Sequence, residues 1–412
     1  MLIKNALYAQ SGGVTAVINA SACAVMQTAR HNPTRIKKVF AAKNGILGVL
    51  NQQLIDTSCE SDQDIAKLMH TPAGAFGSCR YKLQKNDVNC TKLLDIFEQY
   101  QIGYFFYNGG GDSMDTANII ANLSFRRGHP ITCIGIPKTV DNDLPFTDTC
   151  PGFGSVAKYV AISTKEAGFD VESMAESSTK VFILEVMGRH AGWIAAASCL
   201  ANDDPTLPPH IILLPEVPFI ENTFLLKVEQ IVKQCGYCVI VVSEGIRDQQ
   251  GKFLSESGLK DAFGHSQLGG VAPIIAQLIK HNLNYKYHWA VADYLQRAAR
   301  HIASQVDLDQ AYAVGKAAVE LALAGHNAVM PIIKRINDMP YQWEIDTVKL
   351  DEVANKERQV PKEFIDIDGF HVTQACRRYL SPLIQGEAYP PYKNGLPDYV
   401  HLKNQMTPEL FN

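Results

Sequence analysis

Lys138, Thr139, Asp141 and Asp143 lie within six positions in "PKTVDND", directly after the apolar run "ITCIGI" (131–136). One ammonium and two carboxylates at the mouth of a strand can move a phosphoryl group to an alcohol. That reaction needs a proton acceptor for the hydroxyl, a cation to screen phosphate charge, and oxygen ligands for a metal. Asp141 can take the proton as the new bond forms; at an ordinary carboxylate pKa of about 3.9 it is ionised at neutral pH. Asp143 can hold a hard cation such as Mg²⁺. Lys138 can screen the donor: a unit charge about 4 Å away is worth roughly 4 kcal/mol at an effective dielectric near 20. The plainer alternative is a turn with a helix cap, because two Asp flanking an Asn also make a good turn.

Other segments carry the same theme. Gly12 and Gly13 in "QSGGVTAVINAS" precede a helix expected to begin near Thr15, a place where N–H groups can close around an anion. "NGGGDSMDT" sets Asp112 and Ser113 after three glycines, to orient a metal or cap a helix. Arg80 sits among small residues in "GSCRY", and Arg189 follows Gly188 in "MGRHAGW", where a guanidinium fork can meet a phosphate. Glu244 in "SEG" can accept sugar hydroxyls or cap its turn. Tyr294 and Arg297 in "YLQR" are three apart and face one side of a helix. "AVGKAA" (313–318) imitates the end of a P-loop but lacks the leading Gly and the Ser/Thr, and it lies inside an apolar helix.

These segments need a scaffold that brings strand ends together. "KKVFAA", "GYFFY", "ITCIGI", "KVFILEV", "HIILLP" and "CVIVV" are short, β-rich and almost continuously apolar, as parallel strands covered on both faces read. Helix-like stretches such as "MDTANIIANL" and "HAGWIAAASCLA" lie between them. Alternation of this kind predicts an α/β fold with mainly parallel sheets, and ligands bind beyond the carboxyl ends of such strands. Two Rossmann-like domains are expected, residues 1–145 and 146–412, with a helical C-terminal part and some chain crossing back. "DLDQAYAVGKAAVELALAG" reads as a helix ended by Gly325.

Composition narrows the function. The 412 residues are 46% hydrophobic and 19% charged, with a formal net charge of −4 and no basic block, which argues against nucleic acid as a partner. No run approaches a membrane span, and "MLIKNALYAQ" is too short and mixed for a signal peptide. Ten scattered cysteines then read as reduced thiols in a cytoplasm. "CGYC" (235–238) is a lone pair without the second pair that zinc requires.

Taken in this order and spacing, "GSCRY", "GGGDS", "PKTVDND", "EVMGR", "SEG" and "YLQR" resemble the phosphofructokinase family, and within it the pyrophosphate-dependent branch. The resemblance runs from "AQSGG" to about Gly325, and is expected to continue to the C-terminus. It implies that Asp141 accepts the proton of the sugar's 1-hydroxyl, that Thr139 positions that hydroxyl, and that Asp143 lies at the metal with Asp112. It implies that Met187, Gly188 and Arg189 line a fructose 6-phosphate site, that Glu244 holds sugar hydroxyls, and that Tyr294 and Arg297 bind the sugar phosphate. Lys180 assists, from across a subunit interface; Gly12, Gly13, Arg80 and Lys138 face the donor. A homodimer is expected. Lys138 and Asp112 stand where the ATP-using branch has glycines, so the resemblance implies pyrophosphate as donor. Two departures stand out: Gly111 occupies a position where relatives carry Asp or Asn, and Val14 one where they carry Asp or Pro. An ATP-dependent phosphofructokinase and an inactive sugar-phosphate-binding subunit are the alternatives. A nicotinamide dehydrogenase is disfavoured because no GxGxxG is present.

Overall fold

The computed structural model describes residues 3–84, 88–260, 266–268 and 270–408. In chain order the strands are β1 Lys4–Gln10, β2 Ile36–Ala42, β3 Leu54–Asp56, β4 Ile102–Gly109, β5 Thr132–Pro137, β6 Val181–Val186, β7 Ile211–Leu213 and β8 Cys238–Ser243. They continue as β9 Glu256–Lys260, β10 Ser266–Leu268, β11 Tyr287–Val291, β12 Val329–Asp338 and β13 Tyr341–Lys349. Every apolar run singled out in the sequence forms a strand, because each carries β-branched or aromatic residues that are mostly buried.

The first sheet has the order β13-β12-β5-β4-β1-β2-β3. Its inner pairings are parallel, and the two edge strands run antiparallel. The second sheet, β11-β6-β8-β7, is parallel throughout. The α/β fold with mainly parallel sheets expected from the sequence is the one observed. Residues 329–349 cross back to form a hairpin on the edge of the first sheet beside β5. The sequence reading assigned no strands there, because β13 and the outer half of β12 are exposed and largely polar, leaving only the short buried run Met330–Ile333.

The helix Gln305–Leu323 also returns to the first half and packs on Ile18–Arg30. This explains the P-loop mimic. A Cβ on Gly315 would fall 2.4 Å from the Ser21 carbonyl oxygen, and Ser21 Oγ donates to the Ala311 carbonyl at 2.7 Å. Gly315 is required by a close helix crossing, not by a phosphate. Gly325, at φ +93°, follows that helix as expected. None of the ten cysteines forms a disulfide. Among the described residues no helix is long and apolar enough to cross a membrane.

Candidate active site

Both sheets present their carboxyl ends to one region. After β1 the chain enters the Gly12 turn, after β4 the helix Gly111–Arg126, and after β5 Lys138. The helix following β1 begins at Ile18, not near Thr15, because the turn is held open by other bonds. Ser11 bridges to Cys79, and the Gly12 N–H donates to the Cys79 carbonyl at 2.9 Å, so that N–H serves the fold rather than an anion. Gly12 has φ +74°, a left-handed conformation that favours glycine. The same pairing carries Arg80 to the rim of the turn.

Lys138 lies beneath it, only 3% exposed. Its Nζ donates to the carbonyls of Ser11 and Gly13 at 2.6 Å each. Two of its three N–H groups therefore shape the glycine turn, and one is left for a ligand. Burial pushes its pKa down to about 7; Arg297 and Arg80 push the same way, against Asp143 and Asp141. Such an ammonium gains most when an anion arrives. Asp112 stands in the first turn of its helix and forms an ion pair with Lys82 at 2.7 Å. Lys82 also donates to Asn355 Oδ1 at 3.1 Å.

The turn after β5 is tightly built. Buried Asn142 has φ +54°. Its side chain accepts from the Cys150 N–H at 3.0 Å and donates to Tyr379 Oη at 2.9 Å. Thr139 Oγ1 accepts the Asp141 N–H at 3.1 Å, and the same side chain favours the ionised form of Asp143. Here the structure revises the sequence reading of Asp141. Burial raises its pKa, helped by Asp143 and Glu244, with Lys138 opposing. Burial and the Glu357 carboxylate likewise raise Asp143. Asp141 is a stronger proton acceptor than an ordinary aspartate.

On the second sheet, the Met187 N–H donates to Gln296 Oε1 at 3.3 Å and the Gly188 N–H to Glu244 Oε1 at 3.4 Å. Gly188 has φ +132°, and Ser243 Oγ donates to its carbonyl at 2.5 Å. Gly245 in "SEG" is equally constrained, since a Cβ there would lie 2.0 Å from the Arg189 carbonyl oxygen. Burial raises the Glu244 carboxyl, opposed by the Gly188 N–H and Arg189. Tyr294 and Arg297 share a face as predicted, with the guanidinium 4.0 Å from the ring centroid. Arg297 also reaches the first sheet's glycine turn: a Cβ on Gly13 would lie 2.8 Å from its Nη1. The two sheets therefore meet at Arg297.

Lys180 is not brought to this cluster within the chain. It precedes β6, its N–H bonded to the Lys286 carbonyl at 2.9 Å. Met187 follows the other end of that strand, about 20 Å away at roughly 3.3 Å per residue. Lys82, Gln296, Glu357, Arg358 and Tyr379 escaped the sequence reading. Two of them had a local signal: Lys82 lies two positions after Arg80 and so on one face of an extended segment, and Gln296 lies inside "YLQR". Glu357 and Arg358 in "NKERQVP" look like any solvated charge run.

The pattern of the family described as Phosphofructokinase matches residues 5–322 and so spans every one of these turns up to Arg297. The chain belongs to the phosphofructokinase family. Among its relatives, the pyrophosphate--fructose 6-phosphate 1-phosphotransferase of Methylococcus capsulatus is 61% identical over 99% of this chain and 98% of its own. The enzyme of the same name from Halomonas elongata is 61% identical over 98% of this chain and 97% of its own. The solved pyrophosphate-dependent phosphofructokinase of Marinobacter aquaeolei superposes with a TM-score of 0.92, at 58% identity, covering 100% of this chain and 99% of that one. Phosphofructokinase architecture is thus shared along the whole chain, including the hairpin and tail beyond residue 322.

Proposed function

We propose that this phosphofructokinase transfers a phosphoryl group from pyrophosphate to the 1-hydroxyl of fructose 6-phosphate. The products are fructose 1,6-bisphosphate and phosphate. The reaction is reversible and serves glycolysis and gluconeogenesis. The observation that carries this reading is the donor turn, where buried Lys138 lies under Gly12 and Gly13 with Asp112 nearby. The names of near-full-length relatives support it. Pyrophosphate has no adenosine to bury, so its binding energy must come from charge, and Lys138 and Arg80 supply it. Asp112 would oppose the inner phosphate of a nucleotide by like charge and bulk.

In the transfer, the sugar O1 bonds to the terminal phosphorus as the bridging P–O bond of pyrophosphate breaks. The O1 proton passes to Asp141, and phosphate leaves with the bridging oxygen. Arg297 and Tyr294 hold the sugar phosphate with Arg189; Glu244 and the Met187–Gly188 turn hold the sugar. The residues fit a Mg²⁺ that takes one or two protein carboxylates and fills its shell with phosphate oxygens and water. Asp143 is crowded by negative charge that a cation relieves, whereas Asp112 is already paired with Lys82. Asp143 would therefore be the main protein ligand, with Asp112 secondary. When bound, Mg²⁺ neutralises charge on the donor phosphates.

We place the enzyme in the cytoplasm, as a homodimer. Edge strand β11 exposes Trp289 and Val291, and Leu295 beyond it is 68% exposed, an apolar edge suited to a second copy. Lys180, beside the start of this edge, would then serve the partner's sugar phosphate. Light scattering should give twice the 45.4 kDa chain mass; a monomer at working concentration would remove both statements.

The direct test supplies fructose 6-phosphate and Mg²⁺ with pyrophosphate or ATP in parallel and follows fructose 1,6-bisphosphate. Turnover with pyrophosphate alone is expected. Turnover with ATP alone would keep the family and discard the donor assignment of Lys138 and Asp112. Inactivity with both would favour the sugar-phosphate-binding subunit.

A further inference from the structure

Past residue 322, where the family match ends, the chain returns to the catalytic turn. After β13 and the short helix Leu350–Val353, residues 355–358 run alongside the Gly111 position. A Cβ at Gly111 would lie 3.8 Å from the Lys356 carbonyl oxygen and 3.9 Å from the Asn355 nitrogen. Glu357 is held by His190 Nδ1 at 3.1 Å. Arg358 then meets the turn itself. Its backbone N–H donates to the Asp143 carbonyl at 2.6 Å. Its Nε and Nη2 donate to the Asn142 carbonyl at 3.2 and 2.9 Å. Its Nη1 donates to the carbonyls of Thr147 and Asp148 at 2.6 and 3.0 Å. The guanidinium lies over Trp193, 5.0 Å from the ring, and the indole N–H returns to the Arg358 carbonyl at 3.1 Å.

A single fork thus grips the segment 142–148 at both its ends. This matters because Asn142 sits at φ +54° between the two acids. A residue with a side chain stays in that region only when its surroundings impose it. The peptide whose carbonyl points into Arg358 links Asn142 to Asp143, so its orientation sets where the two carboxylates face.

We propose that Arg358 is a positioning residue for phosphoryl transfer, holding the Asn142 peptide so that Asp141 and Asp143 keep their separate orientations. The inference rests on the reaction proposed above. It explains why arginine is needed: five N–H groups in a planar fork span three carbonyls, whereas a lysine ammonium is a point donor. It also gives the segment beyond the family match a part in catalysis without any contact to substrate.

The test is a kinetic split in Arg358→Ala and Arg358→Lys. A misplacement of about 1 Å in a catalytic group costs on the order of 10²-fold. Arg358→Ala should therefore lower kcat by about 10²-fold, with both KM values within about threefold. Arg358→Lys should fall between that variant and wild type, with kcat about three- to tenfold below wild type. A kcat within about twofold of wild type in Arg358→Ala, or a loss confined to KM, would overturn the proposal. Hydrogen exchange provides a second readout that needs no turnover. Peptides covering 139–149 should exchange faster in both variants while those covering 18–30 do not change. Unchanged exchange across 139–149 would also overturn it. If Arg358→Ala fails to fold, Arg358→Lys carries the same two criteria. A wild type inactive with pyrophosphate would overturn the functional reading alone, and exchange would still decide the clamp.

Discussion

Asp141→Ala should lower kcat by at least about 10²-fold, the lower end of what a positioned general base contributes, while the protein remains folded. Folding is expected to survive because the carboxylate is a burden on the native state. Burial, Asp143 and Glu244 all raise its pKa, so its ionised form is less favourable here than in water. Removing it relieves that repulsion, and a thermal melt should show no loss. The same environment makes the loss of activity large. A carboxylate held in surroundings that favour protonation takes a proton from the sugar hydroxyl more readily than an exposed aspartate. The substrate contacts proposed for Arg297, Arg189 and Glu244 do not involve the deleted carboxylate, so KM for fructose 6-phosphate should change little. Turnover near the wild-type rate would remove Asp141 from the mechanism.

Replacing Asp112 and Lys138 together by Gly should abolish pyrophosphate-dependent turnover. Losing a cation about 4 Å from a phosphoryl oxygen forfeits roughly 4 kcal/mol at an effective dielectric near 20, or about 10³-fold. The structure adds a second contribution, since the Lys138 ammonium also ties the carbonyls of Ser11 and Gly13 together. Lys138→Met removes the charge and the two carbonyl bonds together but retains much of the buried volume, so its loss of turnover cannot be laid to an unfilled cavity. Both variants should lose pyrophosphate turnover. Asp112→Gly alone frees Lys82 from its ion pair and leaves Lys138 in place, so it should be the milder change. Undiminished pyrophosphate turnover in the double variant would show that donor choice lies elsewhere.

The residues that sequence reasoning proposed for the site are mostly brought together: Gly12, Lys138, Asp141, Asp143, Met187, Gly188, Glu244 and Arg297 follow strands whose carboxyl ends converge. Lys180 is the exception, because it precedes its strand. The hairpin at 329–349 was invisible for another reason. Its exposed half alternates polar and apolar residues without the buried run that marked the other strands.

What the sequence by itself determined was local: which runs form strands, which turns follow them, and which chemistry those turns carry. Those features rest on neighbours within a few positions, where side-chain type and backbone preference act directly. The tertiary structure alone decided the rest. It paired Lys82 with Asp112, set Arg297 against Gly13, carried Arg358 onto Asn142 and placed Lys180 at the far end of β6. It also turned Asp141 from an ordinary acid into a raised one and Lys138 into a lowered one. The physical reason is that desolvation and Coulomb interaction depend on what surrounds a group in space. For these residues the decisive surroundings come from elements far away along the chain, which no short window of sequence contains.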